Sequence, residues 1–245
     1  MIPDFNTSDI RKLYFREKSQ DEITGEWGAF ILYRWLSFPV TGWFIKFGIS
    51  ANSISVLCIV ASFLMCLIFL LPDGIGYLYL SIVAILISIL DCVDGNIARI
   101  TDTRSSKGQY LDFIADIIYR INLYIALGYI IQSSPVDLYF YKHALFFCLL
   151  SALLAIFSRL CRVYVETRFN QQLIGTLPGE NRVINQKFHI KETLFSFFSG
   201  MDPLLPVFIL ITGFYHVIHW LLFWVFVYSL LDFVSTQYRI ISRIE

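Results

Sequence analysis

Six runs of apolar residues, each about 20 residues long, are separated by shorter polar stretches along this chain. They cover residues 53–71, 76–99, 109–131, 142–165, 193–213 and 215–238. A run of this length can cross the hydrocarbon core of a bilayer as one α-helix. The pattern therefore predicts an all-α integral membrane protein with six transmembrane helices.

The fifth run is the least regular of the six. Gly200, Asp202, Pro203 and Pro206 interrupt it, and an aspartate followed by a proline is typical of a helix N-cap and its first turn. We therefore expect a break near Gly200, and boundaries of the fifth and sixth helices that are less sharply defined than the others.

Residues 27–47, before the first run, are rich in aromatic side chains but also contain Arg34, Pro39 and Lys46. Aromatic and basic residues together suit the headgroup layer better than the hydrocarbon core. We interpret residues 27–50 as an interfacial amphipathic helix, with a seventh membrane span as the alternative. The chain then divides into a cytoplasmic N-terminal segment (1–26), the interfacial helix (27–50) and a six-span domain (51–245).

Composition agrees with a membrane location. Hydrophobic residues make up 57% of the chain and charged residues 16%, below the roughly 25% of soluble domains. A formal net charge of zero argues against a nucleic-acid partner. Basic residues lie almost entirely on the side that carries both termini, and the positive-inside rule makes that side cytoplasmic. We expect a multi-pass protein of a bacterial inner membrane or an ER-type membrane.

Four acids interrupt the second and third runs: Asp91, Asp94, Asp112 and Asp116. A carboxylate inside a membrane is costly and indicates a functional site. The members of each pair are three or four residues apart and share one face of their helix. Four converging carboxylates need cations to neutralise them, and hard oxygen ligands favour Mg²⁺ or Mn²⁺. Two such divalent ions would suit a displacement at phosphorus, with the site at the cytoplasmic face.

The same stretch resembles the signature D-x2-D-G-x2-A-R-x8-G-x3-D-x3-D of the CDP-alcohol phosphotransferase family. All its fixed positions match: Asp91, Asp94, Gly95, Ala98, Arg99, Gly108, Asp112 and Asp116. The resemblance implies an enzyme that transfers a phospho-alcohol group from a CDP-alcohol to an acceptor hydroxyl in phospholipid biosynthesis and releases CMP. It also implies a homodimer, the common assembly in this family.

The resemblance assigns roles to the residues of this sequence. The four aspartates are the metal ligands, and Asp116 is also the general base on the acceptor hydroxyl. The CDP moiety is expected at Gly95, Ala98, Arg99 and Gly108. Asn52 joins this set because residues 51–55 resemble a P-N-x-[IL]-T segment of the family, although a plain helix start with polar caps is the alternative.

Arg120, Arg159 and Arg162 are our candidates for binding the acceptor. An arginine cluster would bind an anionic acceptor, whereas structural pairing with acids is the alternative. Asp116 and Glu166 can neutralise part of this charge. Counting only these two partners leaves one positive charge in excess, which we assign to Arg159.

The substrates follow less directly from the sequence than the reaction does. CDP-diacylglycerol is our first choice of donor, with a polar acceptor such as glycerol phosphate, inositol, inositol phosphate or serine. A CDP-inositol or CDP-choline type donor acting on a lipid acceptor is the alternative within the family. A cation transporter or a non-catalytic scaffold is the alternative from another class, but transporters place such acids near the bilayer midplane in broken helices.

Overall fold

The computed structural model describes residues 7–19, 22–23, 27–72, 74–134, 139–174 and 200–244. Helix α1 covers Thr7–Glu17, and α2 consists of Trp27–Ala29, a π-helical turn Phe30–Arg34, and Trp35–Lys46. Helix α3 is Ala51–Leu64 and continues as a 3-10 helix over Met65–Leu70. The remaining elements are α4 (Gly76–Ile100), α5 (Ser106–Gln132), α6 (Tyr139–Lys142), α7 (Ala144–Ile174), a 3-10 turn (Asp202–Leu204), α8 (Leu205–Phe214) and α9 (Trp220–Ile244). The described residues contain no strand, which confirms the all-α class.

Five helices in the described part of the chain are long and apolar enough to cross a membrane. They are Ala51–Leu70, Gly76–Ile100, Ser106–Gln132, Ala144–Val165 and Trp220–Tyr238, and they correspond to the first four and the sixth predicted spans. The fifth predicted span begins at residue 193, outside the described residues. Its described part forms the short apolar helix Asp202–Phe214. The total of six spans therefore stays a prediction.

Hydroxyl side chains cap two of the helices that carry polar residues of the site. The Ser50 hydroxyl caps α3 by accepting a hydrogen bond from the Ser53 N–H at 3.2 Å. Ser105 caps α5 in the same way, accepting from the Gly108 N–H at 3.1 Å. Such caps satisfy backbone donors that have no partner within the helix. The predicted polar cap before the first span is thus confirmed, with Ser50 as the capping residue.

Helix α2 closely matches the predicted amphipathic segment 27–47, and Pro39 lies within it. It packs against the motif-bearing helix α4, while its first turn contacts the turn at residues 200–204. A Cβ at Gly200 would stand 2.2 Å from the Trp27 ring, so only glycine fits there. The Tyr33 hydroxyl donates to the Pro203 carbonyl at 2.7 Å. These contacts place the turn at residues 200–204 beside α2. The break predicted near Gly200 stays a prediction, because residues 193–199 lie outside the described part, and so does the interfacial position of α2.

Candidate active site

The acidic pairs lie on both sides of the short connection between α4 and α5. Asp91 and Asp94 are in the last turns of α4, and Asp112 and Asp116 are in the first turns of α5. One carboxylate oxygen from each of Asp91, Asp94 and Asp112 lies within 4.8 Å of the other two. The two helices therefore bring three of the four predicted acids together, in an arrangement that fits the oxygen coordination of Mg²⁺ or Mn²⁺.

Asp94 is the buried member of this cluster. Its side chain is 8% exposed, and the Ser55 hydroxyl of α3 donates to its Oδ2 at 2.7 Å. A hydrogen bond to a carboxylate stabilises its ionised form and fixes its orientation. Ser55 therefore orients the deepest acid of the cluster.

A cavity of about 390 Å³ surrounds the acids. Its lining brings together residues predicted for the metals, the nucleotide and the acceptor: Asp91, Asp94, Asp112, Asp116, Asn52, Gly95, Ala98, Arg99, Gly108, Arg120 and Arg159. This volume is in the range of small-molecule sites, roughly 300–1,000 Å³. Arg162 does not line the cavity.

The two motif glycines make room for polar side chains. A Cβ at Gly95 would stand 3.2 Å from Nη2 of Arg99, whose guanidinium folds back along its own helix. A Cβ at Gly108 would stand 3.1 Å from the Asn52 amide oxygen. Asn52 and Arg99 thus face the cavity beside glycines that leave them space.

Asp116 lies one turn further along α5 and has two arginine partners. Arg120 Nε donates to both oxygens of Asp116, at 3.2 and 3.1 Å, and an η-nitrogen of Arg120 pairs with Asp202. Arg159 Nε lies 3.0 Å from Asp116 Oδ2 as an ion pair. That contact lacks hydrogen-bond alignment, so within the described residues the buried Nε–H of Arg159 has no hydrogen-bond partner.

Arg162 is held elsewhere. Its Nη1 donates to Asp232 and to Thr236 of α9, both at 3.0 Å. The cavity therefore does not support the role of Arg162 in binding the acceptor, which stays a prediction.

The sequence-based charge count needs correction. It set three arginines against Asp116 and Glu166, but Asp202 and Asp232 also pair with this group. Arg120, Arg159 and Arg162 therefore face three acids in the described structure, which removes the excess positive charge. The Glu166 side chain lies outside the described part. Asp202, predicted as an N-cap, does not cap its turn and bonds to Arg120 instead.

Several polar residues that line the cavity or pair with the candidate arginines were not predicted from the sequence. Asp232 could have been found by the argument that singled out the motif acids, since it is also a carboxylate in an apolar span. Ser55 carried a weaker signal, because it stands where the family segment has threonine. Glu22 and Arg34 form an ion pair beside the cavity. The sequence carries no signal for this pair, because it joins separate segments of the chain.

The fold and the cavity define a helical membrane protein with a carboxylate-rich, ligand-sized site. The sequence model of the CDP-alcohol phosphatidyltransferase family matches residues 48–227. The chain therefore belongs to the CDP-alcohol phosphatidyltransferase family. No individual curated protein matches the chain. Membership supports phosphatidyl transfer from a CDP-alcohol in lipid synthesis by a multi-pass membrane protein, in a family known to use a divalent metal.

Proposed function

We propose that this protein transfers the phosphatidyl group of CDP-diacylglycerol to the hydroxyl of a polar acceptor and releases CMP. The observation that carries this proposal is the convergence of Asp91, Asp94 and Asp112 in a cavity that also reaches the nucleotide-side residues and the Asp116–Arg159 pair. A direct transfer without a covalent intermediate requires both substrates to be bound at the same time. One continuous cavity is therefore what such a transfer needs.

The three converging carboxylates are the proposed metal ligands. A divalent ion held there supplies charge neutralisation of the donor's diphosphate. The prediction of two ions with Asp116 as a fourth ligand has less support, because Asp116 is engaged by Arg120 and Arg159. Asn52, Gly95, Ala98, Arg99 and Gly108 form the proposed CDP site on the same cavity.

Asp116 is the proposed general base. Two guanidinium groups hold its carboxylate in one orientation beside the cavity. As the acceptor oxygen bonds to the phosphorus that carries the alcohol, its proton passes to Asp116. The bond from that phosphorus to the bridging oxygen breaks, and its electron pair leaves with CMP. Arg159 lines the cavity beside Asp116 and is the proposed contact of the acceptor.

The corrected charge balance favours a second candidate within the same family. Among the described residues, three acids match Arg120, Arg159 and Arg162, so these three arginines carry no excess positive charge. A neutral acceptor therefore fits, either inositol or a lipid alcohol that receives the headgroup of a CDP-inositol or CDP-choline type donor. In both cases we propose a homodimer with its site at the cytoplasmic face of a bacterial inner membrane or an ER-type membrane.

A substrate screen tests the proposal. The purified protein is incubated with Mg²⁺, one CDP-alcohol and one acceptor at a time, and CMP and the lipid product are measured by mass spectrometry. Asp94→Asn should abolish product formation. Asp102→Asn is the matched control: Asp102 lies in the exposed connection after α4 at φ +49°, a conformation that asparagine tolerates. Failure of every CDP-alcohol to yield CMP would refute the proposal.

A further inference from the structure

A buried polar network joins the N-terminal part of the chain to Arg99, one of the proposed nucleotide residues. Its central residue is Asn96, which is 2% exposed and occupies a motif position that the family signature leaves open. The Asn96 amide oxygen accepts from Arg99 Nη2 at 3.0 Å and from Arg34 Nη1 at 3.2 Å. One side-chain oxygen thus holds two guanidinium groups.

The other end of the same amide is held equally firmly. The Asn96 side-chain nitrogen donates to the Ser37 hydroxyl at 3.1 Å and to the Thr41 hydroxyl at 3.2 Å. The Ser37 hydroxyl donates its own proton to the Arg34 carbonyl, and the Thr41 hydroxyl donates to the Ser37 carbonyl, each at 2.7 Å. They can only accept from Asn96, and the guanidinium groups can only donate to it. The network therefore permits one orientation of the amide, with its oxygen toward Arg99.

Of the two arginines in the network, only Arg34 has a carboxylate partner among the described residues. Arg34 is 3% exposed, and its guanidinium pairs through two nitrogens with the carboxylate of Glu22, whose side chain is 1% exposed. Arg34 Nη1 also donates to the Cys92 carbonyl at 3.1 Å. By contrast, no carboxylate of the described residues lies within 4 Å of the Arg99 guanidinium, which donates to the neutral Asn96 amide. The Arg99 guanidinium is therefore held in one orientation without an ion-pair partner among the described residues.

We propose that Asn96, held by Arg34, Ser37 and Thr41, is a positioning residue that aims the Arg99 guanidinium at the anionic diphosphate of the donor. This rests on the proposed function, because it deepens the role of the same cavity. Three of these four residues precede residue 48, where the match to the family begins. Ser37 and Thr41, which do not line the cavity, thereby act on the nucleotide site through Asn96 and Arg99.

The test uses the full chain in detergent and equilibrium binding of radiolabelled CDP in the presence of Mg²⁺. The double variant Ser37→Ala/Thr41→Val removes both acceptors of the Asn96 amide without touching the cavity. We expect the Kd for CDP to rise by about 5-fold, the worth of about one hydrogen bond. Arg99→Ala should raise it by about 10-fold or more, because it removes a charged contact.

Ser62→Ala/Thr212→Val is the matched control. Ser62 and Thr212 also donate to carbonyls of their own helices, to Cys58 at 2.7 Å and to Phe208 at 2.6 Å, but neither lines the cavity. This variant should bind CDP like the wild type. A reduction of CDP affinity as large as that of the Ser37/Thr41 variant would mean that loss of any buried hydroxyls is enough, and would overturn the inference.

Measuring CDP affinity in the Arg99→Ala background distinguishes a positioning role of Asn96 from a merely structural one. If Asn96 acts through Arg99, the Ser37→Ala/Thr41→Val changes should cause no further loss of CDP affinity once Arg99 is absent. A loss of the same size in both backgrounds, or no loss in either, would refute the inference while leaving the nucleotide site intact. Absence of CDP binding by the wild type would instead refute the proposed nucleotide site, and the inference with it.

Discussion

Replacing Glu22 with glutamine should destabilise the protein strongly. The change keeps the shape of the side chain but removes its charge, leaving the buried Arg34 guanidinium without a counter-ion. The Tyr14 hydroxyl, which donates to Glu22, also loses its ionised partner. Breaking one side of a buried ion pair costs about 3–5 kcal/mol. At about 2–4 °C per kcal/mol for a chain of this size, Tm should fall by about 6–20 °C.

Glu17→Gln is the matched control. Glu17 also belongs to the N-terminal segment and pairs with Arg104, but that arginine side chain is 55% exposed. Water and salt screen such a pair, so its loss should change Tm little. Thermal unfolding of both variants in detergent, followed by tryptophan fluorescence, makes the comparison. Equal Tm values for Glu22→Gln and the wild type, or equal losses in the two variants, would refute the reasoning.

The effect of Glu22 should depend on pH. Burial alone would raise the pKa of the Glu22 carboxyl, but hydrogen bonds from Arg34 and its positive charge outweigh burial and lower that pKa. A lowered pKa in the folded state means that the contribution is complete above the unfolded pKa of about 4.3 and declines as the pH falls below it. The difference in Tm between wild type and Glu22→Gln should therefore narrow below about pH 4.

Three further predictions concern activity and orientation. Asp116→Asn should reduce kcat by about 10²–10⁴-fold with CDP binding retained, since it removes the proton acceptor, together with the charge that faces Arg120 and Arg159; near wild-type turnover would require another base. Arg159→Ala should raise the acceptor KM by about 10-fold and leave the donor KM unchanged; steady-state kinetics with each substrate varied separately would show an unchanged acceptor KM if Arg159 is structural. In a background without the five native cysteines, Lys12→Cys and Lys107→Cys should both react with an impermeant thiol reagent from the cytoplasmic side only; labelling from opposite sides would mean that α2 crosses the membrane.

The sequence predicts well what is local along the chain. Helices α3, α4, α5, α7 and α9 follow from apolar runs of spanning length, and the helix over residues 27–46 follows from its aromatic and basic pattern. The spacing of the acids also places each pair on one helical face. That the two pairs should meet follows from the short connection between α4 and α5, and three of the four acids do meet.

Contacts between distant segments could not be predicted in this way. Asp202 pairs with Arg120, and Asp232 with Arg162, although each pair is separated by at least 70 residues. Neither helical periodicity nor composition indicates which faces of two helices will pack together. The charge count on the arginines failed for this reason, since a carboxylate from another helix neutralises a guanidinium as well as one from its own.

CMP release in the presence and absence of divalent metal tests the central claim most directly. The wild type, stripped with EDTA, should release no CMP from a CDP-alcohol and should recover on addition of Mg²⁺ or Mn²⁺. Asp91→Asn, Asp94→Asn and Asp112→Asn should each remain inactive under the same conditions, because each removes one of the three converging carboxylates. Full turnover by the metal-free wild type, or metal-restored turnover by Asp94→Asn, would contradict the account.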